Sequence, residues 1–104
     1  MFTTNITLCF RSYEIDQFRP IFDELGLKCI LGSSKRRREY VLIVPVLISK
    51  PEKDNTERYL FESPKIPQFH VWSHNREKGE RVYGSELRQH LLKLIQKKKQ
   101  LQLG

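Results

Sequence analysis

The sequence predicts an α+β fold in which two amphipathic helices cover one face of a β-sheet. Several segments carry the alternating or continuous apolar residues of strands, and two carry apolar residues at the three- and four-residue spacing of helices. Their order is strand, helix, strand, strand, further strand material and helix, which favours a ferredoxin-like sandwich with an antiparallel or mixed sheet. With 104 residues, 38% of them apolar, residues 1–104 are expected to form a single domain.

The first strand and the first helix have the clearest patterns. Apolar side chains occupy every second position within residues 4–12, as in a strand with one face toward a core. Apolar residues then recur at helical spacing up to Gly26, a residue that commonly ends helices. Pro20 is comfortable only in the first turn of a helix, so this helix is expected to begin near Asp16 or later.

The centre of the chain is expected to form two strands joined by a basic loop. Residues 27–31 form a short apolar strand, and residues 32–38 form a polar loop that faces solvent or a ligand. Residues 39–49 are apolar with little alternation, which predicts a strand covered on both faces. Pro45 lacks a backbone donor and therefore indicates a bulge or an edge within this strand.

Further strand material follows a charged connector at residues 50–57. Residues 58–62 are expected to extend the sheet, and two prolines within residues 63–67 are expected to interrupt it. Residues 68–74 alternate again and predict another strand.

The last third is expected to contain a loop, a helix and a short strand. Gly79 lies in a polar stretch typical of a loop. Ser85 is a suitable N-cap for a helix with a leucine stripe and lysines near its end. Residues 101–103 are interpreted as a short closing strand.

Charge is the strongest functional signal. Lys and Arg number 19 against 12 Asp and Glu, which gives a formal charge of +7 and favours a polyanionic partner such as nucleic acid. Residues 1–34 have three bases and four acids, residues 35–75 have eight and five, and residues 76–104 have eight and three. A binding surface is therefore expected in the central and C-terminal regions.

Two basic groups are the candidate RNA contacts. Four consecutive cations lie in the predicted loop and would form a basic hairpin arm near residues 32–39, where guanidinium groups contact phosphates and stack on unpaired bases. A solvated charged turn is the alternative. The second group lies in the C-terminal third. The candidate residues are Lys35, Arg36, Arg37, Arg38 and Tyr40 in the arm, and Arg76, Lys78, Arg81, Lys97, Lys98 and Lys99 in the second group.

Catalytic and metal sites are not indicated. His70 and His74 would lie about 13 Å apart along a strand, too far to share a metal ion without a bend. We expect no enzyme activity, no metal, no cofactor and no small-molecule substrate. The alternatives are a small basic ribonuclease that uses one of these histidines with Lys35 or Arg36, and a phage or viral factor that binds nucleic acid or protein.

Cysteine content and hydropathy indicate an intracellular domain without a membrane span. The longest apolar run, residues 40–48, is nine residues long, whereas a span needs roughly 20. Cys9 and Cys29 are expected to be reduced and buried, although a disulfide is possible if their strands are neighbours.

Several segments resemble a ribosomal family. These are FRSYEIDQ at residues 10–17, RREYVLI at residues 37–43, KDNTERY at residues 53–59, and the last helix with LQL at residues 101–103. They are similar to segments of the small-subunit ribosomal protein S-ten family, particularly its organellar members. The resemblance implies a structural component of the small-subunit head that binds ribosomal RNA and neighbouring head proteins. It also implies a place in the mitochondrial ribosome.

Overall fold

The computed structural model describes residues 2–32, 39–50 and 57–103. It is an α+β fold with an antiparallel sheet of five strands and two helices, compatible with a ferredoxin-like arrangement, and this confirms the predicted fold class. The elements are β1 (Phe2–Arg11), α1 (Ile15–Leu25), β2 (Lys28–Leu31), β3 (Glu39–Ser49), β4 (Tyr59–Ser63), β5 (Ile66–Ser73) and α2 (Arg76–Leu103).

Strand β3 is the centre of the sheet. Residues 39–48 pair with β1 on one side, in a regular register from Phe2 opposite Ile48 to Arg11 opposite Glu39. On its other side, residues 40–43 pair with β2 and residues 47–49 pair with β4, which in turn pairs with β5.

Pro45 lies in the gap between β2 and β4. The amide of Gly32 donates to the carbonyl of Glu39 at 2.7 Å, so the odd-numbered residues of β3 direct their backbone groups toward the β2 and β4 side. Position 45 therefore needs no donor, because no strand pairs with it on that side in the described residues. The expected edge exists locally, and the pairing with β1 contains no bulge.

The core lies between the sheet and both helices. The even-numbered residues 42–48 of β3 are fully buried under the helices, whereas the odd-numbered residues on the opposite face are only partly buried. The expectation that β3 is covered on both faces is therefore wrong for the described residues. Phe10, Phe18 and Phe22 form an aromatic cluster with ring centroids 4.7–5.9 Å apart, which joins β1 to α1.

Helix α1 begins earlier than its proline suggests. It starts at Ile15, which is buried, and Pro20 is its sixth residue, on the exposed side. The position has no amide to donate to the carbonyl four residues earlier, so burial of the apolar stripe outweighs the loss of one helical hydrogen bond. Gly26 ends the helix as expected, with a left-handed φ of 68°.

Helix α2 begins at Arg76, nine residues before the expected start at Ser85. The side chain of Asn75 caps it by accepting a hydrogen bond from the amide of Lys78 at 3.0 Å. Gly79 lies inside the helix and not in the expected loop. A side chain larger than glycine does not fit at this position, because a Cβ atom there would overlap the ring of Phe61. Glycine thus lets the helix approach the sheet closely.

The chain end and the second proline pair also differ from expectation. Residues 101–103 continue α2 and do not form a closing strand. The expected break at residues 63–67 is shorter, since β5 already begins at Ile66 and includes Pro67. Proline is tolerated there because β5 is an edge strand, paired only with β4 in the described residues. No helix in the described ranges is long and apolar enough to span a membrane.

The two cysteines are not neighbours. Cys9 lies on β1 and Cys29 on β2, and β3 runs between these strands. Both thiols are free, but the expectation that both are buried is wrong: Cys29 lies opposite Leu42 on the helix side and is partly buried, whereas Cys9 is exposed on the other face. The condition for a disulfide between adjacent strands is therefore not met.

Candidate nucleic-acid interface

The basic arm joins two strands that the structure places side by side. Lys35, Arg36, Arg37 and Arg38 lie outside the described residues. The base of the arm is described: Leu31 pairs with Tyr40, and the amide of Gly32 donates to the carbonyl of Glu39. The run of four cations therefore connects two antiparallel strands, as the sequence predicts for a hairpin.

Tyr40 lies on the helix side of the sheet. Its ring is partly buried against the core, and the Cζ atom of Arg19 lies 5.0 Å from the ring centroid. Arg19 also pairs with Asp16, with its Nε atom 3.6 Å from Oδ1. Because a cation already covers one face of the ring, Tyr40 offers less surface for a stacked base than an exposed aromatic residue would.

The second group of candidate residues lies entirely on α2. All six side chains are exposed, but they occupy opposite parts of the helix: Arg76, Lys78 and Arg81 near its start, and Lys97, Lys98 and Lys99 near its end. Sixteen residues from position 81 to position 97 correspond to about 24 Å along a helix axis. The structure therefore separates the predicted second group into two.

The first part of α2 has mixed charge. Glu77 and Glu80 lie among its three bases. The Nε atom of Arg76 is 4.0 Å from Oε1 of Glu80, and its guanidinium lies 4.5 Å from the ring centroid of Phe2. Acidic neighbours lower the local positive potential, so this end of the helix is the weaker candidate for phosphate binding.

The C-terminal half of α2, defined here as residues 87–103, has bases and no acid. Arg88, Lys93, Lys97, Lys98 and Lys99 lie in it, and Lys98 pairs with Glu24 of α1. Within the described ranges, the exposed side chains of Lys93, Lys97 and Lys99 form no ion pair. Successive residues on a helix differ by about 100°, so Lys93 and Lys97 lie on one side of the helix end and Lys99 lies on another.

Lys93 is not among the RNA contacts predicted from the sequence. It stands alone between apolar residues, so it belongs to no basic run. It lies four residues before Lys97, and the two therefore share one side of the helix. Helical spacing, applied to single lysines as well as to runs, is the signal that identifies it.

Arg88 has a structural role that the sequence did not indicate. Its Nη2 atom lies 2.8 Å from both carboxylate oxygens of Glu14, and its Nη1 atom donates to the carbonyl of Cys9 at 3.0 Å. Its Cζ atom also lies 4.7 Å from the ring centroid of Phe10. The side chain therefore fixes α2 to the end of β1 and is not available for phosphate.

The charge state of Glu14 follows from this pair. Partial burial alone would raise the pKa of Glu14. The hydrogen bond from the Arg11 amide, followed by the hydrogen bond and charge of Arg88, outweighs that effect, so the pKa lies below its ordinary value of 4.5. Glu14 is thus ionised at neutral pH and neutralises Arg88.

An apolar groove adjoins the basic end of α2. It has a volume of about 420 Å³ and lies between α1, the start of β5 and α2, with Leu25, Ile66 and Leu94 among its lining residues. His90 lines it, is half-buried, and stacks on Phe69 with ring centroids 5.1 Å apart. Burial, and secondarily the charge of Lys93, lowers the pKa of His90 from 6.5.

His70 lies on the sheet face opposite the helices, together with Trp72. His70 is opposite Glu62 and Trp72 is opposite Leu60, both exposed, with the Cζ atom of Arg58 lying 4.8 Å from the Trp72 ring centroid. His74 follows the end of β5. No group of three His, Cys, Asp or Glu residues in the described ranges could hold a metal ion.

The fold and the charged helix define a small basic α+β domain. Comparison with protein-family models, with curated proteins and with solved structures found no match. Functional assignment therefore rests on the geometry above and on the segments that resemble the ribosomal family.

Proposed function

We propose that this protein is a non-catalytic RNA-binding domain and a structural component of the small subunit of a mitochondrial ribosome. The observation that carries the proposal is the C-terminal half of α2, which presents exposed, unpaired lysines and contains no acid. The basic arm at residues 35–38 supplies a second cationic region. The partners proposed are ribosomal RNA and neighbouring proteins of the subunit head.

The chemistry of the helix end favours phosphate over base edges. Lysine ammonium groups are point charges that neutralise phosphate without reading sequence. Affinity should therefore come mainly from counterion release and fall as salt rises. Such binding suits a protein that holds a folded RNA in place.

The ribosomal assignment rests on resemblance. The similar segments are short and lie in the family's order within roughly residues 6–62, and the observed α+β fold is compatible with that family's ferredoxin-like fold. The arm at residues 35–38 stands where the family has its basic hairpin.

RNA binding is tested by a charge-matched pair of variants. The K97Q/K99Q protein loses two free cations of the helix end, whereas K28Q/K65Q loses two exposed cations elsewhere. Binding to a transcript of the small-subunit RNA head is measured at several salt concentrations. Each lost phosphate contact should lower the salt slope by about 0.7 to 0.9 in the first variant, with no change in the second.

The result that contradicts RNA binding at the helix end is an equal loss in both variants. Such a result would show that affinity follows total charge alone. The same incubation reports RNA integrity by electrophoresis. Cleavage that disappears in H70A or H74A would replace the proposal by the ribonuclease alternative.

The ribosomal part is tested separately by fractionation. Tagged protein should sediment with small ribosomal subunits in a density gradient at low salt and dissociate at high salt. A protein that stays in the free fraction under both conditions contradicts the ribosomal assignment but leaves RNA binding to the first experiment.

A further inference from the structure

Strand β1 is paired on one edge only among the described residues. β3 occupies one side along its whole length, and no described strand lies on the other. The segment expected to close the sheet, residues 101–103, is helical instead. A free strand edge offers unpaired amides and carbonyls, which is the usual template for an added strand.

The alternation of backbone hydrogen bonds shows which residues of β1 direct their amide and carbonyl groups toward this free edge. The odd-numbered residues of β3 point toward β2, so its even-numbered residues bond to the even-numbered residues of β1. The odd-numbered residues of β1 therefore point outward. Two bonds agree with this phase: the carbonyl of Cys9 accepts from Arg88, and the amide of Arg11 donates to Glu14.

The end of the edge is already capped, and the rest is open. Arg88 donates a hydrogen bond to the carbonyl of Cys9. The carboxylate of Glu14 accepts from the amide of Arg11, and the amide of Glu14 donates to the carbonyl of Arg11. Thr3, Asn5 and Thr7 keep an amide and a carbonyl directed outward, and no described residue pairs with them on that side. The open part of the edge is thus about as long as a short strand.

The usual devices that protect a free edge are missing here. Between Thr3 and Cys9 the strand has no proline, no charged residue and no bulge, since its register against β3 is regular. The inward side chains Ile6 and Leu8 lie against Gly84 of α2, so the helix reaches close to this edge. A strand placed beside β1 would bury its own inward side chains next to the core.

Charge decides between a second copy of this chain and another partner. A second copy would bring its own Arg81 and no acidic residue between Thr3 and Cys9, so pairing of β1 with itself offers no charge complement. Arg81 lies three residues before Gly84 and seven before Arg88, so it shares the side of α2 that faces the edge. Its exposed guanidinium forms no ion pair in the described ranges and favours an acidic neighbour.

We propose that the free edge of β1 binds an extended acidic segment of a partner protein by strand addition. The segment alternates apolar residues, which turn inward beneath α2, with acidic residues. Thr3, Asn5 and Thr7 supply the backbone hydrogen bonds, and Arg81 supplies the charge. This surface does not include the lysines of the helix end, so its test is independent of RNA binding.

Backbone amide exchange of the unmodified protein gives the first test. In the free protein the amides of Asn5 and Thr7 should exchange fast, and those of Ile6 and Leu8 slowly, because only the latter bond to β3. A short peptide that alternates valine and glutamate should slow exchange at the two odd positions by about tenfold or more. Slow exchange at all four positions before peptide is added overturns the proposal.

Matched variants give the second test. T7P removes an outward amide and no bond to β3, whereas T7V keeps that amide and removes only the hydroxyl. Peptide affinity should fall about tenfold in T7P and stay within about twofold in T7V. Equal affinity in T7P, confirmed as folded by its helical circular dichroism, contradicts strand addition, as does dimerisation of the wild type through β1.

The charge term has its own control. Affinity for the valine and glutamate peptide should fall severalfold in R81E. The wild-type protein should also bind a valine and lysine peptide more weakly than it binds the valine and glutamate peptide. If both peptides bind the wild type equally, the partner is not selected by acidity, and that part of the proposal is wrong.

Discussion

The two halves of α2 are built differently. The first half has mixed charge, is capped by Asn75, and lies close to the sheet where Gly79 and Gly84 leave room for Phe61 and Leu8. The second half contains no acid and presents lysines to solvent at its end. Both halves bury apolar side chains in the core, and the second half adds an exposed, lysine-rich end.

The largest expected effect breaks the first half. G79A places a methyl group in the ring of Phe61, and the overlap should outweigh the helix preference for alanine, with a net loss of about 1 to 3 kcal/mol of unfolding free energy. Urea unfolding measures it. G84A is the control, because its Cβ would lie 3.3 Å from one terminal methyl group of Leu8, which can move. Equal losses would contradict the close-approach explanation.

The next effect removes the link between α2 and the end of β1. R88M leaves the carboxylate of Glu14, whose side chain is 15% exposed, without its partner, and should cost about 1 to 2 kcal/mol. Burial raises the pKa of Glu14, but the bonds to Arg11 and Arg88 depress it below 4.5 overall.

The depressed pKa of Glu14 fixes the sign of the pH dependence. The stability that it supplies is complete above pH 4.5 and is lost as the pH falls through the lower, folded-state value. R88M should therefore lose less stability on acidification than the wild type. Parallel acid unfolding curves would contradict this.

A smaller effect concerns His90 in the second half. Burial and then Lys93 lower its pKa, so the folded state favours the neutral ring stacked on Phe69. Its contribution to stability is present above pH 6.5 and lost as the pH falls through the lower, folded-state pKa. NMR titration should place the His90 midpoint below 6.5. A midpoint at or above that value would contradict the effect of burial.

The smallest effect is expected at the helix end. K98Q removes an ion pair to Glu24 between two side chains that are about half exposed, and such pairs contribute less than about 1 kcal/mol. Thermal unfolding should therefore change little. A large loss would show that the exposed helix end also holds the fold together, and the distinction between this end and the rest of α2 would fail.

Local patterns explain how much of the fold the sequence predicts. Alternation in β1 and the apolar stripe of α1 are properties of neighbouring residues, and both elements are confirmed. The predicted start of α2 was wrong because glycine is typical of loops, and the sequence does not reveal that Gly79 contacts Phe61. Tyr83, four residues before Leu87, continued the buried stripe and could have indicated the longer helix.

The sequence predicted residues of the candidate site only where several cations are adjacent in the chain. Runs of cations pointed to α2, but they did not show that Lys98 meets Glu24 or that six bases divide between two ends of one helix. The pair between Arg88 and Glu14 spans 74 residues of sequence, and no local pattern encodes it. Long-range contacts decide which cations stay available.

The gap at Pro45 divides one side of the sheet into two parts that can open independently. β2 and β4 share one side of β3, yet they pair with different residues of it. Opening β2 therefore breaks no bond of β4, and cooperative loss of one hairpin need not spread to the other. The strand that leads into residues 33–38 can thus open locally while β4, β5 and α2 stay folded.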